Sequence, residues 1–75
     1  MFVKITTAFK SNHNGTGQVI AKGAGRQRTV NTDLARSPEW NHGTAAGTLA
    51  LALGLEWHDG ITHEYLDGGK HVFHF

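Results

Sequence analysis

Seventy-five residues, a formal net charge of +1 and no cysteine set narrow bounds. A chain this short makes one domain, residues 1–75, with a barely adequate core, and neither a disulfide framework nor a thiolate zinc site can reinforce it. No apolar run approaches membrane-spanning length, and Lys4 and Thr6 interrupt any signal-peptide pattern, so a soluble, cytoplasmic protein without membrane partners is expected. The Met1 start suggests a complete small gene product.

The small net charge hides an asymmetry. Residues 1–36 carry six Lys or Arg against Asp33 alone, a net +5, and residues 37–75 carry Lys70 against five acidic residues, a net −4. Such polarity fits a basic face for an anionic partner, or two halves that attract each other within one fold or between copies.

In chain order, "MFVKITTAFK" alternates, with Val3, Ile5, Thr7 and Phe9 on one side and Lys4 and Thr6 on the other, and predicts a strand with one buried face. "SNHNGTG" is dense in turn formers and reads as a loop. "QVIAKGAGRQRTVNT" reads as a hairpin. A two-residue Ala24-Gly25 turn pairs Val19 with Val30 and Ile20 with Thr29, and a three-residue turn shifts that register by one. Ser37 is a natural N-cap, Pro38 fits the first helical position, Glu39 suits the positive end of the helix dipole, and Gly54 is the stop, which predicts a helix over about 38–53. "ITHEYL", "DGG" and "KHVFHF" predict a second hairpin. The expectation is an α+β fold: an antiparallel sheet of N-terminal strand, basic hairpin and C-terminal hairpin, packed on one helix in the order β-β-β-α-β-β.

The helix "NHGTAAGTLALALG" has almost no polar side. At about 100° per residue, His42, Ala45, Ala46, Leu49, Ala52 and Leu53 form the face suited to the sheet. The opposite stripe holds Trp40, Gly43, Thr44, Gly47 and Leu51. Glycine costs roughly 1 kcal/mol against alanine inside a helix, so two of them imply a close approach. A homodimer through this stripe is the preferred reading. The alternatives are residues 55–75 folding back over it, or a different partner protein.

Six histidines, His13, His42, His58, His63, His71 and His74, are many for this length. With Gly68-Gly69 as the turn, His63 falls opposite His74, with Glu64 and Asp59 near in sequence, the makings of a two-His-plus-carboxylate metal site. The spacing matches no metal signature, and ordinary half-exposed strand histidines are the expected reading, with no metal and no cofactor. His42 lies on the core face, where hydrogen bonding within the fold is expected over general-base chemistry. Neither Ser11 nor Ser37 occupies a strand-turn-helix elbow. "GTG" at 15–17 and "GAG" at 23–25 open no helix, so they read as turns and not phosphate loops. No catalytic role is assigned, and the chain is not expected to be an enzyme.

Lys22, Arg26, Gln27 and Arg28 cluster along the first hairpin, beside Gln18, Thr29 and Asn31. These side-chain types contact phosphates and base edges, and a β-ribbon can enter a major groove. A hairpin kept solvated by its charges is the bland reading. The order strand, basic hairpin, alanine-rich helix ("TAAGTLALALG") resembles the AP2-type DNA-binding domain over residues 3–54, although that family's strand tryptophans are missing. The resemblance implies only that the hairpin is the reading face. "GQVIAKGAGRQRTV" and "NHGTAAGTLALALGLEWHDGITHE" resemble short proteins of actinobacterial phages. That likeness implies a mobile-element origin, the host cytoplasm as location, and a role in handling host DNA or host proteins. Three functions follow as expectations: a small dimeric protein binding nucleic acid through the basic hairpin, an effector that modulates a host protein, and a histidine-based metal-dependent enzyme.

Overall fold

The computed structural model describes residues 3–11, 17–33, 35–58 and 60–75. His13, Asp59 and most of the "SNHNGTG" loop lie outside them. Strands β1 (Lys4–Ser11), β2 (Gly17–Gly23) and β3 (Arg26–Asn31) precede helix α1 (Pro38–Ala52), and β4 (Thr62–Leu66) and β5 (Lys70–His74) follow it. All pairings are antiparallel, in one five-stranded sheet of order β3-β2-β1-β5-β4. The expected α+β class and element order hold. β1 and β5 lie side by side at the centre, so the basic hairpin and the C-terminal hairpin form the two wings.

Turn chemistry sets both registers. Ala24 and Gly25 sit at φ 51° and 76°, the double positive φ of a type I′ turn, and Val19 faces Val30 as the two-residue turn requires. The C-terminal hairpin differs from expectation. Leu66 pairs with Lys70, leaving a three-residue loop, Asp67–Gly69, with Gly68 and Gly69 both at positive φ. The register therefore shifts by one. His63 faces Phe73, His74 faces Thr62, and the two histidines point to opposite sides of the sheet. The His63–His74 metal pairing is thus ruled out by the turn.

Local signals fix the helix at both ends. The Ser37 side chain accepts from the Trp40 backbone N–H, and Pro38 opens the first turn. At the other end Gly54 takes φ 76°, its N–H donates to the Leu51 carbonyl, and the Leu55 N–H donates to that of Ala50. Those two bonds make a Schellman stop.

One face of the sheet takes the helix. Ile5, Val19, Ala21 and Phe73 from the strands bury against Ala45, Ala46, Leu49 and Ala50. Small alanines let the helix lie close over β1, β2 and β3. Beyond its edge, Trp57 packs on Phe73 and Phe75 with ring centroids 5.7 and 5.6 Å away. The post-helical segment thus extends the covering layer over β5.

Candidate functional site

Alternation along the strands sorts every sheet side chain to one of two faces. The face away from the helix carries Lys4 and Lys10 from β1, Lys22 from β2 and Lys70 from β5, all exposed. Registers set them in cross-strand rows: Gln27, Lys22, Thr6, Val72 and Glu64 form one, and Asn31, Gln18 and Lys10 another. Between these rows lie Thr29, Ile20 and Ala8. A shallow depression there is lined by Thr6, Ala8, Ile20, Lys22 and Lys70. Glu64 is the one acidic residue among the described strand positions on this face, and it is engaged by His74, Nε2 to Oε2 at 3.1 Å. No Phe, Tyr or Trp side chain stands among those positions.

The predicted hairpin residues do not share one surface. Lys22 pairs with Gln27 on the open face, whereas Arg26 pairs with Gly23 and Arg28 with Ala21 on the helix side. Both arginines are exposed on edge strand β3. Charges on an edge strand also discourage pairing with another sheet. Arg28 donates from Nη1 to the neighbouring Gln27 carbonyl at 2.9 Å, which holds it along the strand. The charge asymmetry of the sequence becomes a gradient across the sheet, basic on the β3 side and carrying Glu64 and Asp67 on the β4 side.

A second constellation lies under the start of the helix. His42, expected on the core face, is buried, and its Nδ1 lies 2.6 Å from Thr7 Oγ1. Thr7 Oγ1 also reaches the His71 carbonyl at 3.5 Å. Thr7 has one hydroxyl proton. Both contacts are made together only if that proton goes to the carbonyl and His42 Nδ1 supplies the other, which leaves His42 Nε2 as an acceptor. The His42 ring stacks on His71, centroids 3.8 Å apart and 9° from parallel, and His71 Nδ1 meets His63 Nε2 at 2.8 Å. Burial, followed by repulsion from His71 and His63, pushes His42 down to about 4. Burial and His63 also lower His71. At neutral pH the stack is uncharged. Among the described residues no group of three or more His, Asp or Glu is arranged to hold a metal ion.

His42 and His71 line a cleft of about 400 Å3 with Phe9, Val19, Thr32, Asp33, Arg36, Pro38, Asn41 and Gly69. Gly17 allows the Phe9 ring to fold inward, since a Cβ there would clash with the ring. Asn41 braces the wall, its Oδ1 accepting from the Asp33 N–H and its Nδ2 donating to the Asp33 and Ser37 carbonyls. Thr32 Oγ1 is buried and has no hydrogen-bond partner among the described residues. Sequence reasoning singled out His42 here and missed its neighbours. The inward alternation of His71 with Phe73 was the available signal, usable only once the three-residue turn is known.

Of the proposed dimer stripe, Leu51 is 78% exposed and Trp40 stands out with Arg36 over its ring, 5.1 Å from the centroid. A Cβ at Gly43 would meet nothing within 4 Å, but one at Gly47 would touch Trp57 at 4.0 Å. Trp57, itself 55% exposed, therefore covers part of the stripe from within the chain.

Comparison with known proteins gives no matching family model, no matching curated protein and no matching solved structure. The fold defines a two-layer α+β domain, and its function is argued from its own surfaces. None of its helices among the described residues is long and apolar enough to cross a membrane.

Proposed function

We propose that this chain is a small non-catalytic protein that binds duplex nucleic acid through the open face of its sheet, with the basic hairpin at one edge of the contact. The observation that carries this reading is the uncovered sheet face, with four exposed lysines against a single, histidine-paired glutamate among its described strand positions. Lysines spaced over rows of short polar and aliphatic side chains suit a phosphate backbone, whose neutralisation dominates affinity. Gln18, Gln27 and Asn31 supply amides of the kind that read base edges. The lack of Phe, Tyr and Trp at the described strand positions of this face argues against a single-stranded ligand, which needs large rings for its bases to stack on. Arg26 and Arg28 extend the contact around the β3 edge. The AP2-type resemblance agrees only in placing the hairpin within the contact.

Salt dependence tests this. Duplex DNA should bind at low salt and weaken steeply towards physiological salt, with Lys10→Ala and Lys22→Ala each lowering the slope of log K against log salt by about 0.9, the value for one lost phosphate contact. Arg26→Ala should lower it less, because its side chain leaves from the other face. An absence of duplex binding at low salt removes the reading.

A second reading is association through the outer helix face, either with a second copy or with a host protein. It rests on the exposed Leu51 and Trp57, which line one groove with Gly47 and Leu55. Light scattering should give a dimer that Leu51→Glu dissociates. A monomeric wild type rejects the homodimer and leaves only the partner protein.

A further inference from the structure

We propose that the cleft beneath the helix N-terminus binds a small, uncharged, planar heteroaromatic molecule with the chemistry of a nucleobase. This site is separate from the open sheet face and does not depend on it. At about 400 Å3 the cleft falls in the lower part of the range for small-ligand sites, roughly 300–1,000 Å3. Phe9, Val19 and Pro38 give it apolar walls, and Phe9, 52% exposed, leaves a ring at its mouth. Flat ligands suit a pocket bordered by that ring and by the parallel His42–His71 stack.

Two polar groups give the ligand its pattern. Among the described residues Thr32 Oγ1 is a buried hydroxyl without a hydrogen-bond partner, and such groups are costly and uncommon. His42, held by Thr7 through Nδ1, retains an acceptor at Nε2. A ring bearing an N–H or amino donor beside a second polar atom answers both, and a pure hydrocarbon answers neither. Charge is matched internally, because Arg36 lies 3.9 Å from Asp33 at the rim. An anion would approach Asp33 and a cation Arg36, so an uncharged molecule is favoured. A base could arrive free, as a nucleoside, or splayed from a strand.

Nuclear magnetic resonance of the full chain at neutral pH tests this with adenosine, indole, benzoate and a short single-stranded oligo-dA. Adenosine should shift Val19, Thr32, His42 and His71 saturably while leaving the Ile20 and Thr6 methyls of the open face unmoved. Benzoate should not bind, and indole should bind more weakly. Thr32→Val should weaken adenosine about tenfold, as expected for one lost hydrogen bond, yet raise the melting temperature because the orphaned hydroxyl is gone. That opposite pair of effects distinguishes a ligand contact from a structural role. Phe9→Ala, at the exposed mouth, should also weaken binding. Tighter binding of oligo-dA than of adenosine, with the same residues shifted, identifies a strand-borne base, and equal binding identifies a free one. No shift with adenosine or oligo-dA, equal affinity for indole, or unchanged affinity in Thr32→Val overturns the proposal. The sheet-face reading would survive any of these results.

Discussion

Phe73→Ala is expected to remove most of the stability of this domain. Phe73 is 2% exposed, stands opposite both Ile5 and His63, and stacks on the His63 ring with centroids 4.3 Å apart. It joins the helix-covered part of the core to the part covered by Trp57. Replacing a buried Phe by Ala costs about 3–5 kcal/mol. A domain of this length has only about 4–11 kcal/mol in total, at 0.05–0.15 kcal/mol per residue. Alanines supply much of the rest of the buried surface, and they have little volume with which to fill the void. Thermal unfolding should show a melting temperature lower by roughly 15 °C or more, while Phe73→Leu should lose much less. A shift of only a few degrees for Phe73→Ala would show that the two parts of the core stand independently.

Acid should destabilise the fold well before its carboxylates protonate. His42 is held at about 4 in the folded chain against 6.5 when unperturbed. Burial is the main cause, with repulsion from His71 and His63 added and a smaller opposing attraction from Glu39. Between those values the unfolded chain binds a proton that the folded chain refuses, so stability rises with pH. The contribution is fully present above about 6.5 and is lost as pH falls towards about 4. A shift of this size corresponds to about 3 kcal/mol at 1.36 kcal/mol per unit, and water reaching the ring during local opening reduces it to on the order of 2 kcal/mol. His71, lowered chiefly by burial, acts in the same direction. Glu39 is held below its usual range mainly by its backbone hydrogen bond and contributes only at more acid pH. Urea midpoints should therefore fall between about pH 7 and pH 5, and His42→Gln should flatten that dependence. An unchanged wild-type midpoint across this range would contradict an uncharged, buried His42.

The fold was legible because each element carried its own punctuation. Ser37, Pro38 and Gly54 bracket the helix, and Ala24-Gly25 fixes the first hairpin register. The second hairpin was not, because Asp67-Gly68-Gly69 supports a two- or a three-residue turn and one residue of slip exchanges the faces. That single ambiguity placed His63 against His74 on paper and concealed His71, which belongs beside His42. The residues of the basic hairpin are close in sequence, but alternation sends Lys22 and Gln27 to one face and Arg26 and Arg28 to the other. Lys4, Lys10 and Lys70 joined Lys22 only through strand order, a long-range property that local pattern does not carry. The cleft depends on it too, since its residues come from β1, β2, the segment after β3, the helix start, and β5 with the turn before it.

Contact between the open sheet face and duplex nucleic acid can be read from side-chain methyl resonances. Thr6, Ala8, Ile20 and Thr29 report from that face, Val19 and Leu49 from the core, and Leu51 from the outer helix. On titration with duplex DNA at low salt, the first group should shift while the core and Leu51 methyls stay in place. Perturbation centred on Leu51, with Thr6, Ala8, Ile20 and Thr29 unmoved, would contradict the account.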